Sequence, residues 1–167
     1  MFVEILYPTT NNNKTTKIKG IAKLTGLKAI DMDDLVVTQW GKNGNIKDCY
    51  LDLGLNDFRL LEQDVYENFQ APKGAVIALG GGALLNEKIF SLTKKWGVSG
   101  RLELLPEIIF DRWQISSPLN LTIEQWPDHY DKRQKACLNW SARIWSNCMA
   151  TMIKQMHKIA KDEKQHG

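Results

Sequence analysis

The stretch "GAVIALGGGALL", Gly74 to Leu85, decides the fold. Its first half is an apolar run of strand length without alternation, which marks a strand buried on both faces, as in a parallel sheet. It runs directly into Gly80, Gly81 and Gly82. Such a triplet lets a backbone come close to a ligand, and a tight turn accounts for it almost as well.

The segments on either side repeat the alternation. "NDFRLLEQDVYENF", Asn56 to Phe69, sets Phe58, Leu61, Val65 and Phe69 on one helical face. Before it, "NIKDCYLDLG", Asn45 to Gly54, is a helical segment from an asparagine cap to a glycine stop. "LKAID" reads as a short strand ending at acids, followed from Asp33 by a helix that breaks at Gly41 to Gly44. At the N-terminus "MFVEILY" is β-rich, and "TKIKGIAKLTG" has Ile18, Ile21 and Ala22 at helical spacing with Gly26 as its stop. Downstream come a helix, "NEKIFSLTKKWG", and a fourth strand-like run, "GRLELL". Strands alternating with helices predict βαβ units and an α/β sheet that takes ligands at the strands' carboxyl ends. Beyond Arg112 the alternation stops. "WQISSPLNLTIEQ" reads as a loop, and Trp126 to Lys161 as mainly helical, with Trp145, Cys148, Met149, Met152, Met156 and Ile159 along one side. "ACLNWSARIW", Ala136 to Trp145, is the one candidate for a further strand, and it suits a helix better.

A chain of 167 residues with 43% hydrophobic content suits one domain, residues 1–167, with one core. A net charge of +3 with interleaved signs argues against nucleic acid or an acidic membrane surface as partner. Three cysteines in no ligand spacing point to a reduced compartment, and three scattered histidines add no metal site. The expectation is a soluble cytoplasmic domain acting on a small molecule; no protein partner is legible.

Four segments carry chemistry. In "YPTTNNNKTTKIKG" the register of a phosphate-binding loop falls on Pro8, Asn13, Lys14 and Thr15, after an apolar strand but without the loop's two glycines. Asn11, Asn12 and Asn13 tolerate left-handed backbone and keep part of the shape, while Pro8 fixes φ and removes a donor. A polar strand-to-helix turn is the plainer alternative. In "IDMDD", Asp31 and Asp33 follow a strand, where one would hold Mg²⁺ through water and the other orient a hydroxyl; an N-cap aspartate with first-turn acids is the plainer reading. The glycine triplet is third. Arg59, in an otherwise amphipathic helix, is fourth.

Taken together, these spacings mean more than any one of them. Lysine–threonine, then aspartate–x–aspartate, then "G-x-x-x-F-R-x-x-E" at Gly54, Phe58, Arg59 and Glu62, then the triplet, resembles the shikimate kinase family. "AKLTGLKAIDMDDLV" and "FRLLEQDV…AVIALGGGALL" carry the likeness, over about residues 2 to 112. The resemblance implies a P-loop kinase-like three-layer α/β/α fold, with a parallel sheet of four or five strands. It implies a lid at about 113–125 and a helical segment at about 127–161. It further implies ATP:shikimate 3-phosphotransfer in aromatic amino-acid biosynthesis, with ATP and Mg²⁺. Asn11, Asn12, Asn13, Lys14, Thr15, Thr16 and Arg112 would then face nucleotide. Lys14 would meet the transferred phosphate, and Thr15 and Asp31 would hold the metal. Asp33, Arg59, Gly80, Gly81 and Gly82 would hold shikimate, with Asp33 beside the attacking hydroxyl.

The departures fall on cations. The lid arginine that the family carries before its proline–leucine pair is Ser117 here, ahead of Pro118 and Leu119. The later family arginine, two residues before a proline, matches Gln125, and one residue is inserted between Pro127 and Tyr130. Trp113 to Asp131 contains no lysine or arginine. By analogy with arginine fingers, the lost lid charge lowers the rate by about 10³ to 10⁵, or about 4 to 7 kcal/mol of barrier. Lys132 and Arg133 are within reach as substitutes, although nothing in the sequence requires it. Three readings stand in order: a shikimate-kinase-like protein with weakened or lost phosphotransfer, with ATP and Mg²⁺ if active and otherwise no cofactor bound; an active kinase with a rebuilt clamp; and a phosphotransferase for another hydroxylated substrate.

Overall fold

In the computed structural model, the described residues are 3–6, 14–102, 122–141, 144–145, 151, 154–155 and 158. Five strands, β1 (Val3–Leu6), β2 (Lys28–Asp31), β3 (Ala75–Ala78), β4 (Val98–Leu102) and β5 (Ile144–Trp145), form one sheet in the order β2-β3-β1-β4-β5. Every pairing is parallel; Asp31 stands opposite Ala78, and Ile5 opposite Ala78 on the other side. Parallel neighbours need crossovers. Among the described residues these include α1 (Lys14–Thr25), α2 (Met32–Trp40), α3 (Ile46–Asn68), α4 (Glu87–Thr93) and α5 (Trp126–Trp140).

β3 is the centre of the fold, with all four residues at 0% exposure, so its apolar run is a strand buried on both faces. Ala75 and Ile77, with Leu79 beyond, share a core with Met32, Tyr66, Ile89, Trp96, Cys137 and Trp140. Strand alternation turns Val76 and Ala78 to the other face. There α1 packs on β2 and β3, burying Ile18 and Ile21. Helices thus cover both faces of the sheet.

Local chemistry sets the boundaries. Asp31 caps α2, and Gly41 closes it at φ 75°. Asn45 caps α3 in a reciprocal capping box with Asp48. Gly54, at φ 74° and ψ 174°, breaks α3 into two helical segments, as expected from its glycine stop. No helix among the described residues is long and apolar enough to cross a membrane.

The expectation that Ala136 to Trp145 suits a helix better than a strand holds only as far as Trp140. α5 ends at Trp140, and Ser141 turns extended at φ −150° and ψ 126°. Ile144 then pairs with Arg101, and Trp145 with Leu102, as the fifth strand. The turn is made by tertiary anchoring: the Trp140 indole Nε1 donates to the buried Thr93 Oγ1 at 2.9 Å. A two-residue strand shows no alternation, so its apolar residues fitted a helix equally well. Residues 7–13, expected as the phosphate-binding loop with Pro8, and residues 112–121, with Arg112 and with Ser117 of the expected lid, lie outside the described residues.

Candidate active site

The site assembles at the carboxyl end of β3. Gly80 to Gly82 follow the strand and enter a 3₁₀ turn, Ala83–Leu85, with the Ala83 N–H donating to Gly80 O and the Leu85 N–H to Gly82 O. The buried Gly80 N–H donates to the Tyr66 hydroxyl at 3.0 Å, which fastens the turn to α3. Space, rather than backbone angle, requires the glycines: Gly82 lies at φ −115°. A Cβ on Gly80 would stand 2.7 Å from Asp33 Oδ1 and 3.1 Å from Glu62 Oε1. A Cβ on Gly82 would stand 2.5 Å from an Arg59 guanidinium nitrogen and 3.3 Å from one of Arg133. Charged side chains from three helices therefore press directly on this backbone.

Asp33 reaches the turn from α2, where its own N–H donates to Asp31 Oδ1 at 3.1 Å. Asp31 is the N-cap of that helix and is buried at the end of β2. Arg59 and Glu62, one turn apart on α3, form an ion pair on the side facing the turn. Glu62 is buried, and burial pushes its carboxyl above the usual range although Arg59 opposes the shift. The pair is a polar floor under the glycines.

Arg133, named with Lys132 as a substitute cation that nothing in the sequence requires, lies beside this turn. It is 5% exposed and comes from α5, which packs on the 3₁₀ turn. Burial first, then the like charge of Arg59, lowers its guanidinium to about 10, so it remains a cation at neutral pH. Gln125, at the position where the family pattern has arginine, is exposed. Its Oε1 accepts the Thr122 N–H at 3.0 Å and its N–H donates to Thr122 Oγ1 at 3.3 Å, a reciprocal pair that starts the helix. The cation therefore arrives eight residues, about two helical turns, later along the same helix. A signal for it existed: Trp126, Tyr130, Arg133, Cys137 and Trp140 follow the spacing of a buried helical stripe, and an arginine in such a stripe is unusual.

His129 precedes Arg133 by one turn on the same face of α5. Its imidazole is held down to about 4 by burial, then by Arg133, Arg59 and Lys132. Of the residues expected in the site, Asp33, Arg59, Gly80 and Gly82 come together, with Gly81 between the last two. Lys14 opens α1, and Thr16 is exposed on it. Asn11, Asn12, Asn13 and Arg112 lie outside the described residues. Glu62, Tyr66, His129 and Arg133 are the additions.

The family described as shikimate kinase matches residues 12–160. Shikimate kinase of Thermobifida fusca is 33% identical over 84 residues, covering 50% of this chain and 48% of that protein. The Thermodesulfovibrio yellowstonii shikimate kinase is 30% identical over 99 residues, covering 59% and 56%. The chain thus spans about half the length of these curated relatives. Among solved structures, shikimate kinase from Aquifex aeolicus superposes with a TM-score of 0.78 at 18% identity, covering 100% of both chains. Shikimate kinase from Acinetobacter baumannii, in complex with shikimate, gives 0.77 at 19% identity, covering 99% of this chain and 93% of that one. These structures share the P-loop kinase fold. Since the family match spans residues 12–160, a range that includes α1, the glycine turn and both arginine-bearing helices, the chain belongs to the shikimate kinase family.

Proposed function

We propose that this chain binds shikimate on the glycine turn and transfers phosphate to it from ATP only weakly. One observation carries the substrate half: Arg59 and Arg133 meet at Gly82 while the Asp33 carboxylate lies over Gly80. Two guanidinium groups suit the carboxylate of a small ring acid, and bidentate geometry is what arginine offers such a group. An aspartate a few ångströms away suits a ring hydroxyl, which it orients and whose proton it accepts. The weak half rests on the missing cation at Ser117 and on Pro8 at a position that calls for glycine.

ATP and Mg²⁺ fit what is described of the nucleotide side. α1 is the next described element after β1 and begins at Lys14, and a helix N-terminus favours phosphate. Asp31, a buried carboxylate at the end of β2, is a hard oxygen ligand of the kind Mg²⁺ takes, with Thr15 as its partner in the family pattern. When bound, the metal supplies neutralising charge at the phosphates. Lys14 would meet the transferred group, and Asn11, Asn12, Asn13, Thr16 and Arg112 would line the nucleotide.

Arg133 also favours a second reading, an active kinase whose substrate clamp has been rebuilt. Thermal shift with shikimate and with ADP, taken separately, and a coupled assay with ATP, Mg²⁺ and shikimate decide between them. The expected result is a raised melting temperature with shikimate, and turnover more than a hundredfold below the ordinary kinase range of about 1–100 s⁻¹. Turnover inside that margin replaces the first reading by the second. No shift with shikimate removes both.

A further inference from the structure

His129 belongs to none of the family's motif positions; it occupies the stretch where one residue is inserted between Pro127 and Tyr130. Its Nε2 is buried and has no hydrogen-bond partner among the described residues. Buried imidazole nitrogens are normally satisfied, so an open one beside a ligand pocket calls for a ligand atom. α5 packs on the glycine turn, and His129 lies one helical turn from Arg133, whose guanidinium touches that turn. We infer that His129 Nε2 is a third binding group for the substrate carboxylate held by Arg59 and Arg133, and that it determines specificity for an anionic over a neutral ring. This rests on the shikimate-binding reading above.

The surrounding charges explain why a histidine suits the position. The charged groups that act on it are Arg133 and Lys132 from α5 itself and Arg59 from α3, while Glu62 from α3 and Asp33 from α2 act on the neighbouring Arg133. Without ligand, burial and three cations keep the imidazole neutral. A third permanent cation would add to the repulsion between the two arginines. A neutral imidazole avoids that repulsion and still offers one N–H. Once a carboxylate lies between the arginines, the field at the imidazole becomes less positive, and its affinity for a proton rises.

The test uses the whole chain with shikimate and its methyl ester as probes, by calorimetry and by ring-carbon NMR of the histidines. Wild type is expected to bind shikimate at least tenfold more tightly than the ester. H129L should lose about tenfold in affinity for shikimate, and none for the ester, while H129Q recovers part of the loss through its amide. The His129 resonance, assigned by its disappearance in H129L, should titrate near 4 in the free protein and move upward with saturating shikimate but not with the ester. An unchanged H129L affinity, or a titration unmoved by shikimate, overturns the inference and leaves the proposed function standing. If wild type binds neither probe, both fall together. If H129L folds poorly, disappearance of the resonance in H129Q gives the assignment, and the NMR arm still decides the matter.

Discussion

Arg59 and Arg133 come from different helices, α3 and α5, and bring guanidinium nitrogens to the same glycine, Gly82. Two like charges at such range repel unless something negative lies near them. Glu62 and Asp33 supply part of that charge, and we propose that the substrate carboxylate supplies the rest.

Gly82→Ala should therefore act on binding rather than on folding. The backbone angle at Gly82 suits any residue, but the new methyl would overlap Arg59, whose flexible end is able to swing aside. The expected result is a loss of shikimate affinity of tenfold or more with a melting temperature close to wild type, read by calorimetry and thermal denaturation.

Gly54→Ala should do the reverse. Nothing stands within 4 Å of the added carbon, yet φ 74° with ψ 174° is a region open essentially to glycine alone. A loss of about 1–3 kcal/mol in urea denaturation is expected. Shikimate affinity should fall as well, because the break sets the direction of the segment that carries Arg59.

Thr93→Val removes the acceptor for the buried Trp140 indole N–H. An unsatisfied buried donor costs about 1–3 kcal/mol, measurable as a lowered urea midpoint. The same bond anchors the end of α5, so affinity for shikimate should weaken along with stability.

The lid and the helix start separate by charge. Ser117→Arg should raise turnover with ATP and shikimate by about 10³- to 10⁵-fold if missing charge limits the rate. Gln125→Arg should bring no gain, because Arg133 already serves the pocket. It should also cost about 1 kcal/mol by breaking the Thr122–Gln125 pair. A coupled assay of each variant, with a melting curve, checks both expectations.

Stability should depend on pH through two groups of opposite sign. His129 is held near 4 when folded against an ordinary 6.5, so its contribution is complete above pH 6.5 and is lost as pH falls towards 4. Discounted for the solvent that reaches the half-buried ring, the loss is on the order of 1–2 kcal/mol. Glu62 is raised by burial, so its contribution is complete below its ordinary 4.5 and is lost as pH rises through its folded value. Urea midpoints across pH should show a flatter acid limb in H129L and less decline above pH 4.5 in E62Q.

Much of the frame was legible before any coordinates. The unalternating run at Ala75 to Ala78, the aspartate and asparagine caps, and the glycine stops are local features whose physics acts within a few residues. The same holds for Asp33, Arg59 and the glycine triplet, which are recognisable because they recur at fixed spacing. The sequence offered a candidate stretch for β5 and named Arg133 as a substitute cation, but could place neither. Both depend on where α5 lies against α4 and the glycine turn, and that is set by contacts such as Trp140 with Thr93, forty-seven residues apart.

The amino-acid order by itself determined a parallel α/β sheet, because strand burial, capping and turn chemistry are short-range, and the resemblance to the shikimate kinase family added an acid, an arginine and three glycines at its carboxyl edge. Only the tertiary structure decided which cation completes that edge. A charge lost at Gln125 and regained at Arg133 shares one helix but not one motif, and only packing shows that the second faces the pocket.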